Sequence, residues 1–200
     1  MIRITPVIEP ADFEEKVKKP GLLFLKVNPT PTSWVGKEYW RSFKPTLRDS
    51  YNGMCCYMAY WIGPIDIDTV DHFLPKKYHP DRAYDWSNYR YCSSRCNSRK
   101  RDFTDVIDPF EIENGWFEID FVTREVRVAK SAPKDKVKIL ESTITRLKLN
   151  DYNTSIKDRE RWIKIFIETK SLKVLKDYAP FIAAEIERQQ ITAEELTPMC

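Results

Sequence analysis

Three short stretches decide the fold: Asp71-His72-Phe73-Leu74-Pro75-Lys76, Trp86-Ser87-Asn88-Tyr89, and Cys92 through Cys96-Asn97-Ser98-Arg99-Lys100. Ahead of the first, Ile65, Ile67 and Val70 alternate with Asp66, Asp68 and Thr69. That period-two pattern predicts a strand running into Asp71-His72. Pro75, Pro80 and neighbouring turn formers predict a long loop after it. Residues 89–92 (Tyr-Arg-Tyr-Cys) predict a short second strand, and residues 94–103, dense in Arg and Lys, a helix. The order is strand, loop, strand, helix, with a polar residue at each junction.

Outward from this centre the signals are more ordinary. Residues 11–19 predict a short helix ended by Pro20-Gly21, and residues 21–27 a buried strand or extended run. Tyr39, Trp40, Phe43 and Leu47 predict an amphipathic helix within 36–50, bent near Pro45. Asn52-Gly53 marks a turn. Past the Asp108-Pro109 break, residues 116–121 and 126–129 read as a hairpin around Thr123-Arg124-Glu125. Helical spacing then dominates. One helix is expected over 134–149, one over 155–178 capped by Thr154 or Ser155, with Asp158 completing a box with Ser155, and one from about Pro180 to Gln190. The reading is α+β, with an N-terminal segment over 1–50, a central core with its hairpin over 51–130, and a helical region over 131–200.

Composition bounds the function classes. Of the 200 residues, 42% are apolar, enough for a real core, so wholesale disorder is excluded. No window approaches the apolar length of a membrane span. The first twenty residues mix Glu9, Asp12, Glu14 and Glu15 with lysines and have no apolar signal segment, so a cytoplasmic protein is expected. The net charge of +3 is uninformative until it is located. Residues 71–102 hold eight basic and four acidic side chains, so this window carries more than the whole excess. A basic segment on an otherwise balanced chain points to a local anionic ligand. The five cysteines are odd in number and two are adjacent, which argues against a disulfide framework. Only His72 and His79 are available for imidazole chemistry, and His79 reads as a solvated loop residue.

The series Asp-His, then Asn, then Cys-Asn-x-x-Lys resembles the HNH endonuclease family over about residues 55–102. The resemblance implies a ββα-metal core and metal-dependent phosphodiester hydrolysis. Residue by residue, it implies His72 as general base, Asp71 and Asn97 as metal ligands, and Asn88 as the residue that fixes the loop or touches the metal. The elementary chemistry agrees with it. An imidazole near neutrality suits proton abstraction from water, and an Asp/Asn oxygen set suits Mg²⁺ or Mn²⁺ better than zinc. In a regular strand Asp71 and His72 would face opposite sides, so the strand must end or bend there for both to serve one site. Lys76, Lys77, Arg95, Arg99 and Lys100 are expected to face or flank nucleic-acid phosphates.

The wording around the motif resembles a branch found among bacterial anti-phage defence genes, the HNH subunit of Septu-type systems, which implies a partner ATPase. The chain itself has no Gly-x-x-x-x-Gly-Lys phosphate loop. DNA is the expected substrate. An RNA nuclease (against tRNA, for instance) and a non-catalytic nucleic-acid-binding or assembly subunit are the alternatives. The cysteines depart from the family, in which two Cys-x-x-Cys pairs hold a structural zinc. Met58 stands where a cysteine is expected, and Cys92-x-x-x-Cys96 is one residue too long. Cys55, Cys56, Cys92 and Cys96 therefore read as buried thiols beside an aromatic core, with four-cysteine zinc ligation as the alternative. Cys200 reads as an incidental terminal thiol.

Overall fold

The computed structural model describes residues 1–199. Cys200 lies outside the described residues. The strand expected before Asp71-His72 is β1 (Asp68–His72), and it pairs antiparallel with β2 (Tyr89–Ser93). The register sets Asp71 opposite Arg90 and His72 opposite Tyr89. No loop separates β2 from α3 (Ser94–Lys100). Ser93 ends the strand and caps the helix, its side chain accepting from the Cys96 N–H. A second sheet, β3 (Phe117–Asp120) with β4 (Glu125–Val128), is the expected hairpin. The chain is thus α+β, with two small antiparallel sheets among the described residues.

Two compact units emerge. One comprises residues 5–56 and 62–104, the other residues 1–4, 57–61 and 105–200. The boundary at 104/105 groups the hairpin with the C-terminal helices, whereas the sequence reading keeps it with 51–130.

The unit carrying β1 and β2 also holds α1 (Lys19–Val27) and α2 (Lys44–Ser50). Here the expectation for 11–27 is corrected. Pro20-Gly21 does not end a helix, and 21–27 is not a strand. A π-type turn over Glu14–Lys18 leads directly into α1. Pro20 falls in the first turn of α1, where proline's missing N–H is tolerated. The apolar run is an exposed helix face, with Leu22, Leu23 and Val27 all solvent-accessible. Gly21 is buried against the Tyr84 ring, where a Cβ would lie 2.3 Å from ring carbons, so only glycine fits. The bend near Pro45 is a 3₁₀ turn over Tyr39–Phe43 that continues into α2. The core is aromatic. Phe13 meets Phe43 and Trp86 edge-on at 5.2 Å and Tyr89 at 5.8 Å.

The other unit packs the hairpin with α4 (Val137–Arg146), α5 (Lys157–Thr169), α6 (Leu172–Tyr178), α7 (Pro180–Gln189) and a short α8 (Ala193–Leu196). The single helix expected over 155–178 is two. Lys170 adopts the left-handed conformation that ends α5, and Ser171 caps α6. Ser155 lies inside a π-type turn over Tyr152–Ile156, and Ile156 is the residue at the N-terminal boundary of α5. Ser155 is buried and donates to the Lys148 carbonyl. Across the α5–α6 break the Trp162 and Tyr178 rings stack at 6.1 Å. No helix among the described residues is long and apolar enough to cross a membrane.

Candidate active site

Asp71 and His72 end β1, and both line one cavity of about 220 Å³ together with Asn97 and Lys76. Termination of the strand at His72 is what lets adjacent residues serve one space. Asn97 enters from α3 and donates from Nδ2 to Thr69 Oγ1 on β1 at 3.3 Å, so its carbonyl oxygen is the acceptor end of a side chain that lines the same cavity as Asp71.

His72 is buried, and its Nε2 lies 2.9 Å from the Ala83 carbonyl. A carbonyl can only accept, so Nε2 carries the proton and Nδ1 is left as the basic nitrogen. The ring is fixed on two further sides. Trp40 meets it edge-on at 4.5 Å and Tyr89 at 5.2 Å. Burial, and after it the Lys76 ammonium, push the imidazole down to about 3, with Lys100 adding to the effect and the Ala83 carbonyl opposing it. His72 is neutral at physiological pH.

Asn88 accounts for the position of Ala83. It is buried, its Oδ1 accepts from the Leu74 N–H at 2.7 Å, and its Nδ2 donates to the carbonyls of Leu74 (3.1 Å) and Arg82 (3.0 Å). Its own carbonyl accepts from the Phe73 N–H. Asn88 therefore ties both ends of the 73–88 loop together and delivers the Ala83 carbonyl to His72. That carbonyl also accepts from the Tyr89 hydroxyl at 2.9 Å. Of the two roles the resemblance offers, fixing the loop is the one these hydrogen bonds perform.

Lys100 is a correction. It does not face phosphates. It is fully buried, its ammonium 3.1 Å from Asp71 Oδ2 and donating to the carbonyls of His72 (3.1 Å) and Phe73 (3.0 Å). Lys100 braces the end of β1 from beneath and orients the Asp71 carboxylate. Lys76 is the cation on the cavity wall, and burial lowers the pKa of its ammonium against the opposing pull of Asp71 and Glu38. Lys77 is exposed and pairs with Asp102 at 2.8 Å. Arg95 and Arg99 lie half-buried on α3. His79 sits half-buried in the loop, its N–H bonded to the Pro75 carbonyl.

Cys55, Cys56, Cys92 and Cys96 are all fully buried thiols. The Cys56 N–H donates to the Tyr91 carbonyl, so the turn carrying the adjacent pair is stitched to β2. Burial, then Asp71, Cys55 and Cys56, push the Cys92 thiol up, and a hydrogen bond with Cys55, then burial, does the same for Cys96. Buried, protonated thiols are poor nucleophiles. Among the described residues no three His, Cys, Asp or Glu side chains form a metal-holding group. The oxygen pair Asp71 and Asn97 is a different kind of set. Two oxygen donors on a cavity wall suit a hard cation that keeps most of its waters.

No family model matches the chain, and no curated protein matches it significantly.

Sequence reasoning missed the Ala83 carbonyl, Trp40 and Trp34. A backbone acceptor leaves no mark in composition, Trp40 reads only as a helix aromatic, and Trp34 carries no pattern of its own.

Proposed function

We propose that the chain is a metal-dependent endonuclease of the HNH type, hydrolysing phosphodiester bonds in DNA and acting in anti-phage defence with a partner ATPase. The observation that carries this reading is the convergence of Asp71, His72 and Asn97 on one cavity, from the end of β1 and the following α3, with Asn88 clamping the loop between the strands. This is a base and two oxygen donors in the order the HNH pattern requires.

The residues divide the work as follows. His72, held neutral with Nδ1 basic, takes a proton from the attacking water. A phosphate beside it brings negative charge that offsets the lowering effect of Lys76 and raises the proton affinity of the imidazole. Asp71 and Asn97 would hold Mg²⁺ or Mn²⁺, which supplies charge neutralisation at the phosphate and the leaving oxygen. Lys100 aims the Asp71 carboxylate. Lys76 contacts the substrate anion. The defence role and the ATPase partner rest on the wording of the motif alone.

A second reading is favoured by one observation. The Asp71 carboxylate already faces the Lys100 ammonium at 3.1 Å, a cation where a metal would compete for the carboxylate, which fits a non-catalytic subunit with a degenerate site.

The test is incubation of the full chain with plasmid DNA and with total RNA, with and without Mg²⁺, beside His72→Ala. Expected is Mg²⁺-dependent DNA cleavage reduced by about 10²-fold or more in the variant. Cleavage that survives His72→Ala would overturn the mechanism. Cleavage of RNA in place of DNA would change the substrate, and cleavage of neither, even with the partner supplied, would favour the second reading.

A further inference from the structure

A larger cavity of about 520 Å³ adjoins the one that holds Asp71. The two share Val70, His72, Lys76 and Asn97. A chain whose phosphate lies at His72 therefore continues into the second space. One wall is aromatic: the indoles of Trp34 and Trp40, 6.1 Å apart. Trp34 is half-buried and held by edge contacts with Phe24 at 5.9 Å and Tyr84 at 6.0 Å, while Trp40 is wedged against His72. These rings are fixed before any ligand arrives, so little ordering entropy remains to be lost on stacking. The Lys76 ammonium sits over both rings, 5.9 Å and 5.4 Å from their centroids, and a bound phosphate would draw this cation off the indoles and free a ring face. Ile67, just ahead of β1, lines the same cavity and stands 71% exposed.

A cavity of this volume holds one nucleotide-sized ligand. A base inside a duplex has both faces covered by its neighbours and offers only an edge. An aromatic wall recognises a face, which is available only when the base is unstacked. An exposed isoleucine beside such a wall is the type of side chain that props bases apart. We propose that the Trp34–Trp40 groove seats an unpaired nucleobase next to the scissile phosphate, so that the substrate is single-stranded or locally unpaired DNA. This rests on the nuclease reading above for the position of the phosphate, and on the groove itself for the unpaired base.

The experiment separates the two. The full chain is titrated in EDTA against a labelled single strand of about 12 nucleotides and against its duplex, by fluorescence anisotropy. The same oligonucleotides are then offered with Mg²⁺ for cleavage. Expected is tighter binding of the single strand, weakened roughly 5- to 100-fold by Trp34→Ala and largely retained by Trp34→Phe, with duplex binding little changed. Because Trp34→Ala also loosens contacts with Phe24 and Tyr84, Ile67→Ser, at an exposed position, serves as the second variant and should weaken only the single strand. Equal affinity for the two forms, or single-strand binding untouched by both variants, overturns the groove proposal even if both oligonucleotides are cut. Trp34-dependent single-strand binding without any cleavage upholds the groove and overturns the nuclease reading.

Discussion

Glu185 and Asp71, one in each unit, are two deeply buried acids held for different ends. Glu185 on α7 accepts from Arg188 Nε and Nη2 at 2.8 Å each, from the Ile119 N–H at 2.9 Å and from Gln189 at 3.1 Å. These bonds join α7 to β3, and the carboxylate is spent on the fold. Asp71 at the end of β1 is braced by Lys100, yet it lines a cavity beside His72 and Asn97. A buried acid enclosed by donors on every side is a structural joint. A buried acid that a lysine braces and that also lines a cavity beside an imidazole is positioned for a ligand. The difference lies in what surrounds the carboxylate, not in how deeply it is buried, since both acids are 3% exposed.

The comparison can be broken most forcefully at Lys100. Lys100→Ala removes the buried ammonium that faces Asp71 at 3.1 Å and should lower unfolding free energy by about 3–5 kcal/mol in urea titrations. A loss below 1 kcal/mol would mean that the ion pair does not brace the strand end. Next comes Asn88→Ala, which removes the loop clamp at the Leu74 N–H and the Leu74 and Arg82 carbonyls. We expect a cost of about 1–3 kcal/mol, with DNA cleavage falling further than stability explains because the Ala83 carbonyl no longer orients His72. Cleavage that tracks folded fraction alone would deny Asn88 that positioning role.

The joint at Glu185 gives a smaller, pH-dependent effect. Burial favours the protonated acid, but hydrogen bonds from Arg188, the Ile119 N–H and Gln189 outweigh it and hold the pKa below its ordinary 4.5. A depressed carboxylate stabilises the fold above its unfolded pKa and loses that contribution as pH falls through the folded value. Glu185→Gln should therefore cost about 1 kcal/mol near neutrality and flatten the acid limb of the thermal melting curve below about pH 4.5. An unchanged acid limb would place the linkage elsewhere. The smallest effect is expected at exposed Lys77. Lys77→Ala should leave the melting temperature unchanged and lower the salt slope of DNA binding by about 0.9. A stability loss there would show that its pair with Asp102 is structural.

The site was more legible in the sequence than its surroundings. Asp71-His72, Asn88 and Asn97 fall on the strand end, loop and helix that alternation and turn residues predict, because those signals are local. Lys100 was misread because a helical lysine looks the same in sequence whether it meets water or a buried carboxylate. The 11–27 region was misread because Pro-Gly is a strong stop signal on local grounds. What overrides it is distant: Gly21 fits against Tyr84, sixty-three positions away. The break at Lys170 carries neither glycine nor proline, so nothing local announced it.

The direct passage from β2 into α3 has a consequence for how this chain can vary. Without a loop at Ser93–Ser94, nothing there can absorb a change in residue count. One inserted residue would turn everything after it by about 100° around the helix axis. Asn97 would swing off the cavity and Lys100 out from under Asp71 in the same motion. Within the 73–88 loop Lys77 and Tyr78 are exposed whereas Ala83, Tyr84 and Trp86 are buried, so an insertion beside Lys77 disturbs least. Length variation in the lineage of this protein should therefore collect in that loop and be purged at the strand–helix junction.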